Sequence, residues 1–379
     1  MSFTIGLGAR IRKSPFYEAM SAHGMTYASV YNKMVLPESF GDPDAEYTAL
    51  VERVSLWDVA CERQVEVVGP DAFELVQYVS ARDMAGCAVG RVRYAPICDH
   101  EGTLINDPMI LKLAEDRFWF SIADSDLLLW IRAIGAERGL DCRVFEPDVS
   151  PLGVQGPRAD DVLADMLGEW VRDVPFFGFV EVEHEGIPFV LCRSGWSGQG
   201  GFELFLTDGS RGNDLWKAVW EAGGPYGIHP GGPMSDERIE SGLFSYGTDC
   251  GGDATPLEVG LGRFLSLDRE DDFVGRSALL AERERGPARR LVKVLLSGER
   301  LAVPSEHPWP VYAGGAGGAG GAGGPGKQVG TVRSAVWSPK HSSNLALALL
   351  SSEVAGGGFV TVTPEGDELE ASHLAYFGE

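Results

Sequence analysis

Positive charge is scarce in this sequence. Its 379 residues carry 32 Lys and Arg against 55 Asp and Glu, a formal net charge of −23. Nucleic acids and anionic membrane surfaces are held through basic patches, so this balance argues against both as partners and permits a cationic substrate. The six cysteines (Cys61, Cys87, Cys98, Cys142, Cys192, Cys250) are scattered and form no Cys-x-x-Cys pair. They read as reduced core residues rather than a disulfide frame. Seven histidines fall in no His-x-x-x-His or Cys/His spacing, so no zinc site is legible. The N-terminus lacks the apolar segment of a signal peptide, and no apolar run is long enough to span a bilayer. A cytoplasmic location is therefore expected. Neither a nucleophile triad nor a phosphate-binding glycine loop is present, so an enzyme built on this chain would leave the chemistry to an organic cofactor.

What is there is ordinary globular material, 44% apolar and 23% charged. Its length exceeds one typical core, which predicts two or three domains. The most informative stretch is Arg193-Ser-Gly-Trp-Ser-Gly-Gln-Gly-Gly-Phe-Glu203, with glycines at 195, 198, 200 and 201. Such a backbone turns tightly and approaches a ligand closely. Trp196 heads the loop, and Glu203 sits in the apolar run Phe202 to Leu206. An aromatic that stacks and a carboxylate that accepts N–H donors suit a flat, nitrogen-rich ring. A plain Gly-rich connection with an outward Glu fits these residues equally well.

Taken in order, the basic stretch Arg10 to Phe16 reads as a solvated arm, with packing on the fold or against an anionic group as the other reading. Asp42-Pro43 reads as N-cap and first residue of a helix that carries Tyr47, Leu50, Val51 and Val54. Arg63 to Val68 alternates like a half-buried strand. Strands are expected over 94–98, 104–113 and 118–123, then a helix over 124–139 capped by Asp124-Ser-Asp126. The pattern then repeats: Val154-Gln-Gly-Pro157-Arg-Ala159 echoes Val67-Val-Gly-Pro70-Asp-Ala72, each followed by a helix, strands and a helix. Two such copies predict an internal duplication. Asp236 to Tyr246 reads as a further helix, with Arg238 and Glu240 as a structural ion pair. From Arg290 the chain turns to short strands, which predicts an all-β C-terminal domain. Inside it, 314–326 is an Ala-Gly-Gly repeat, expected to be a flexible loop. The expected division is 1–140, 141–287 and 288–379.

Asp107 precedes a proline and begins an apolar strand, where a carboxylate is partly desolvated and suited to acid–base work or to holding a cation. A turn Asp capping a strand end is the competing reading. Tyr31, Trp130, Trp196 and Tyr246 could line an aromatic pocket for a cationic group, although each taken singly is more often a core residue.

Taken together, Gly102 to Asp107, Val154 to Pro157, Ser194 to Glu203, Arg238 to Gly242 and Ser334 to Pro339 resemble the aminomethyltransferase family, the T-protein of glycine cleavage and its folate-dependent relatives. Within it the chain most resembles the dimethylsulfoniopropionate demethylases, through Arg10 to Phe16, Trp57 to Val65, Tyr94 to Asp99, Ser121 to Trp130 and Glu237 to Gly247. The resemblance covers nearly the whole chain. It implies an α+β, three-domain folate-binding fold with a pseudo-duplicated N-terminal core and a β-barrel-like C-terminal domain. It implies tetrahydrofolate as cofactor, with Glu203, Trp196, Phe205, Arg238 and Tyr94 holding it. Asp107 and Asn106 would be catalytic, and Tyr31, Lys33 and Tyr246 would meet a small-molecule methyl donor. A homodimer is compatible with it. The implied reaction moves a methyl group from a sulfonium to folate N5; an aminomethyl or hydroxymethyl transfer, or an O-demethylation, is the alternative. A non-enzymatic folate-binding assembly factor of the same fold would carry a Cys where this chain has Trp196. The departures are Asn106 in place of a second acid beside Asp107, a feature the demethylases share, together with Phe205 for Tyr, Lys33 for His, and Thr248 and Cys250 for Asn and Met.

Overall fold

The computed structural model describes residues 6–302, 304–305, 307–313, 327–354, 359–363 and 367–378. The expected loop 314–326 lies outside them. In chain order the elements begin with α1 (Tyr17–Ala22), the hairpin β1 (Tyr27–Tyr31) and β2 (Met34–Ser39), and α2 (Pro43–Glu52). There follow β3 (Ser55–Asp58), β4 (Gln64–Val68), α3 (Ala72–Val79), β5 (Arg91–Tyr94), β6 (Ile97–Cys98), β7 (Leu104–Asn106), β8 (Met109–Ala114), β9 (Arg117–Ser121) and α4 (Leu127–Glu137). The second copy contains β10 (Arg143–Phe145), β11 (Ser150–Gln155), α5 (Ala159–Leu167), β12 (Phe179–His184), β13 (Ile187–Cys192), β14 (Gly201–Leu206), α6 (Gly212–Gly223) and β15 (His229–Gly231). The remainder is α7 (Ser235–Ser241), α8 (Arg276–Arg285), β16 (Arg289–Leu296), β17 (Trp309–Ala313), β18 (Gln328–Ser338), β19 (Ser343–Ser351), β20 (Phe359–Val362) and β21 (Glu368–Tyr376).

These elements form two units. The first comprises Met1–Val76, Met84–Tyr94 and Pro108–Met234. Its two larger sheets have the orders β10-β4-β9-β8-β5 and β12-β13-β14-β11-β3-β15. The duplication is visible in an exchange of strands. β3 precedes β4 in the chain yet pairs with β11, whereas β10 precedes β11 yet pairs with β4. The two echoing Gly-Pro corners are built alike. Gly69 and Gly156 have φ of +139° and +121°, and a Cβ on either would stand 2.7 Å from a backbone oxygen, Asp141 O or Arg53 O. Only glycine fits so tight a crossing at that φ. On one face of the second sheet, Phe202, Leu204 and Leu206 join Val162 and Leu163 of α5 and Leu215 and Trp216 of α6 in the main core. The two sheets meet at a β bridge between Arg91 and Gly178, flanked by Val92 N donating to Phe177 O at 2.9 Å.

The second unit comprises Gln77–Asp83, Ala95–Asp107 and Ser235–Glu379. It contains the closed barrel β16-β19-β18-β17-β20-β21. Its interior follows the period of two that a strand imposes: Val292, Val294 and Leu296 from β16 meet Ala346, Ala348 and Leu350 from β19. A smaller core of Ala81, Cys98, Leu267, Phe273 and Leu279 lies outside the barrel in the same unit.

Several local expectations change. The expected strand 104–113 breaks at Asp107-Pro108, and that over 94–98 breaks at Ala95-Pro96, because proline cannot donate to a ladder. Alternation over 63–68 does not mark a half-exposed strand. Gln64, Val65, Glu66 and Val67 are all buried, with Glu66 held by Arg117 Nε at 2.8 Å and Trp119 Nε1 at 2.8 Å. The helix expected over 124–139 starts at Leu127 with no side-chain cap. Asp124 instead accepts from Asn32 N at 2.7 Å. The helix from 236 ends at Ser241, before Gly242 at φ +73°. The basic arm is docked, not solvated. Phe16 is fully buried, Ser14 Oγ donates to buried Asp58, and Arg12 reaches Glu146 at 2.9 Å. Two barrel strands, β17 and β21, were not expected from the sequence.

Candidate functional site around Glu203

Glu203 lies in the middle of β14, opposite Cys192 of β13 and Gly153 of β11. Its neighbours Phe202 and Leu204 point into the helix-covered core, so Glu203 and Phe205 share the other face. That face carries a second apolar cluster containing Phe205, Cys192, Val190, Trp119, Leu111 and Val92. Phe205 is fully buried there, 6.5 Å from the Trp119 ring. Tyr94 ends β5 two residues after Val92 and pairs with Met109, a partly buried member of the same cluster. The first unit therefore brings Glu203, Phe205 and Tyr94 to one apolar surface.

Glu203 is 2% exposed. Among the described residues its hydrogen-bond partner is Ser194, whose Oγ donates to Oε2 at 2.5 Å. Burial pushes the Glu203 carboxyl up to about 7, and the Ser194 hydrogen bond pulls the other way. The Cys192 thiol is likewise pushed up by burial, which keeps it protonated and inert.

The glycine loop that carries Trp196 is pinned from below by Gln155, the glutamine of the Val-Gln-Gly-Pro motif. Gln155 is 1% exposed. Its Nε2 donates to Ser194 O at 3.1 Å and Phe202 O at 3.2 Å, and its Oε1 accepts from Ser197 Oγ at 2.8 Å. Gly195 leaves room for this clamp, since a Cβ there would overlap Gln155 Nε2 at 2.1 Å. In the sequence this motif marks the duplication and the family resemblance; its role as a loop clamp is not legible there. Ser194 was quoted but given no role.

The hairpin carrying Tyr31 and Lys33 also belongs to the first unit. Its tip is left-handed, with φ of +49° at Asn32 and +63° at Lys33. Asn32 holds it down through Nδ2, which donates to Cys61 O at 3.1 Å and Ala123 O at 3.0 Å. Lys33 Nζ meets Asp126 Oδ2 at 3.3 Å. Tyr31 is half-buried against the main core.

The other expected site residues lie in the second unit. Asn106 is fully buried at the end of β7, and Asp107 follows it. Arg238 is fully enclosed, and its Nη1 donates to Asp249 Oδ2 at 2.7 Å. Its expected partner Glu240 instead accepts from Ser338 Oγ at 2.5 Å and Lys340 N at 3.1 Å. Tyr246 forms a bridge to Cys250.

Comparison with known proteins now adds a family. The GCVT N-terminal domain matches residues 16–269, and the glycine cleavage T-protein C-terminal barrel domain matches residues 289–375. A dimethylsulfoniopropionate demethylase of Ruegeria pomeroyi is 42% identical over 359 residues, 94% of each chain. An aminomethyltransferase of Symbiobacterium thermophilum is 32% identical over 352 residues, 89% of each. The glycine cleavage system aminomethyltransferase T of Bartonella henselae superposes with a TM-score of 0.81 at 22% identity, covering 96% of this chain and 97% of that one. The chain belongs to the glycine cleavage T-protein (aminomethyltransferase) family. It is an enzyme of one-carbon transfer with the α+β core and C-terminal barrel of that fold. No helix among the described residues is long and apolar enough to cross a membrane.

Proposed function

We propose that this enzyme is a tetrahydrofolate-dependent demethylase that takes a methyl group from a small sulfonium such as dimethylsulfoniopropionate. The observation that carries this reading is the 42% identity to a dimethylsulfoniopropionate demethylase over nearly the full length of both chains, against 32% to the aminomethyltransferase of Symbiobacterium thermophilum. The proposal includes three domains, 1–140, 141–287 and 288–379.

The Glu203 surface supports the cofactor. A carboxylate that is 2% exposed and held by one hydroxyl has acceptor capacity left for ring N–H donors. Phe205 and Tyr94 supply an apolar surface, and Trp196 stands on a loop that Gln155 holds in place. In this reading Glu203, Trp196, Phe205, Tyr94 and Arg238 hold the folate, while Tyr31, Lys33 and Tyr246 meet the donor. Bound tetrahydrofolate supplies the nucleophilic nitrogen, N5, to which the methyl group passes. The sulfonium leaves as a neutral thioether with the electron pair of the broken C–S bond, so the protein needs no strong acid. Its work is to align donor and acceptor and to exclude water. The Asp107 carboxylate accepts the proton released from N5, and Asn106 orients it.

Incubation of the protein with tetrahydrofolate and dimethylsulfoniopropionate tests this, with 5-methyl-tetrahydrofolate followed by mass spectrometry. Formation at enzymatic rates is the expected result. Folate binding without product overturns the choice of donor, and formation of 5,10-methylene-tetrahydrofolate from an aminomethyl donor moves the enzyme to its aminomethyltransferase relatives.

A further inference from the structure

In the second unit, β18 carries a bulge at Arg333. Val332 pairs with Ala348 of β19 and Ser334 with Leu347, so Arg333 has no counterpart. Val332 and Ala335 belong to the barrel core. The extra residue therefore turns two successive side chains, Arg333 and Ser334, to the outside of the barrel, where a regular strand would alternate. Both reach the segment that follows α7. Ser334 Oγ donates to Asp249 Oδ1 at 2.9 Å, and Arg333 Nη2 donates to Asp253 Oδ2 at 2.6 Å.

Asp253 closes a turn. Its Oδ1 accepts from Gly251 N at 3.4 Å, and its backbone O accepts from Arg289 Nη2 at 2.5 Å. Within the turn Gly252 has φ of +84°, and a Cβ on it would stand 3.5 Å from the Tyr246 phenol oxygen. The phenol thus rests against bare backbone. Tyr246 is held at its own main chain by a bridge to Cys250, beside which Gly247 N donates to Cys250 O at 2.8 Å. Two adjacent glycines lose the most conformational freedom on folding, so the surface under the phenol keeps its shape only through the ties on Asp253. Arg289 is the more distant cation at that carboxylate, 3.9 Å away, and it pairs with Glu258 at 2.7 Å. Arg333 is the near one. Its side chain is 13% exposed, and among the described residues its hydrogen-bond partner is Asp253. A hydrogen bond with both partners ionised is the strong kind.

We propose that Arg333 is a positioning residue for the methyl donor: through Asp253 it fixes the Gly251-Gly252 turn that the Tyr246 phenol rests on. Tyr246 meets the donor in the reading proposed above, and the effect on the donor rests on that reading. With the tie cut, the turn samples other shapes, and the phenol stands in its binding position for a smaller share of the time. Apparent donor affinity falls with that share, while molecules that have the phenol in place react as before. The signature is a rise in KM at constant kcat.

The test uses the whole protein and two readouts. The first is fluorine NMR after fluorotyrosine labelling, with the Tyr246 signal among the ten tyrosines assigned by Tyr246→Phe. Arg333→Gln and Asp253→Asn are both expected to shift or broaden that signal, and Arg333→Lys to restore part of it, because the contact is a single N–O hydrogen bond. Arg283→Gln, which removes a charge paired with Asp268, should leave it unmoved. The second readout is demethylation of dimethylsulfoniopropionate. KM should rise about three- to tenfold in Arg333→Gln and Asp253→Asn at constant kcat, a modest factor because solvent reaches Asp253. An unmoved Tyr246 signal in both variants overturns the proposal, as does a loss carried by kcat with KM unchanged. If the parent does not turn the sulfonium over, the donor reading falls, and the fluorine spectrum alone decides whether Arg333 places Tyr246. Asp253 lies on an exposed turn, so its variant decides the matter even if Arg333→Gln fails to fold.

Discussion

Arg238 and Asp249 form an ion pair in which both side chains are fully shut off from solvent, with Nη1 to Oδ2 at 2.7 Å. Asp249 is tied further to the barrel by Ser334, whose Oγ donates to Oδ1 at 2.9 Å. Removing one member of such a pair strands the other charge in a medium that solvates it poorly. Asp249→Ala is expected to destabilise the protein by about 3–5 kcal/mol, read from urea unfolding. A loss below about 1 kcal/mol would mean that solvent reaches Arg238.

Glu203 gives a signature in ligand binding. Its carboxyl is raised to about 7, so only part of the protein carries the anionic acceptor at neutral pH. If that anion accepts the N–H groups of the folate ring, tetrahydrofolate affinity rises as pH climbs through 7 and falls below it. Glu203→Gln should lose this pH dependence and bind roughly 10- to 100-fold more weakly, the worth of hydrogen bonds to a charged group. Unchanged affinity and slope in the variant would remove Glu203 from the site.

Asp58 gives a signature in stability. Burial raises its carboxyl from 3.8 to about 6, against the pull of Ser14 and of Ala60 N. A raised folded-state value means that the native state binds the proton more tightly than the unfolded chain. The contribution is fully present below pH 3.8 and is lost as pH rises through 6. Asp58→Asn fixes the neutral form, so its unfolding free energy should lack this downward slope between about pH 4 and 6. Parallel pH profiles for the two proteins would refute the assignment.

Gln155 is the clamp beneath the glycine loop. Gln155→Ala leaves Ser194 O and Phe202 O without their donor and should cost about 1–3 kcal/mol. Because Ser194 also holds Glu203, folate affinity should fall as well. A variant that loses stability but keeps full affinity would separate the clamp from the site.

Lys33 and Asp126 make a solvent-facing pair, with side chains 63% and 39% exposed. Such pairs add little stability, so Lys33→Ala should shift the unfolding free energy by less than about 1 kcal/mol. The partnership also tempers the repulsion that a lysine would impose on a sulfonium. Assigned to the donor, Lys33 should act through KM and not kcat. A several-fold rise in KM for dimethylsulfoniopropionate at constant kcat is the expected result, and unchanged kinetics would exclude it from the donor site.

Sequence alone carried the family, because that signal lies in long stretches such as Glu237 to Gly247 that need no geometry to read. It carried the duplication through two Val-x-Gly-Pro corners and four of the six barrel strands, β16, β18, β19 and β20, through short apolar runs. The helix start at Asp42-Pro43 was also legible, and Asp42 does accept from Ala45 N at 3.0 Å. These are local patterns set by neighbours a few residues away. What the tertiary structure decided involves residues far apart in the chain. β3 and β10 exchange sheets, Asp124 abandons its helix to hold the Asn32 hairpin, and Arg238 passes over Glu240 for Asp249. Gln155 turned from a motif letter into a clamp only once β11 lay beside the glycine loop. Hydrogen-bonding capacity belongs to a residue type, but its partner is chosen by whichever buried donor or acceptor the fold brings within about 3 Å, and periodicity holds no record of that.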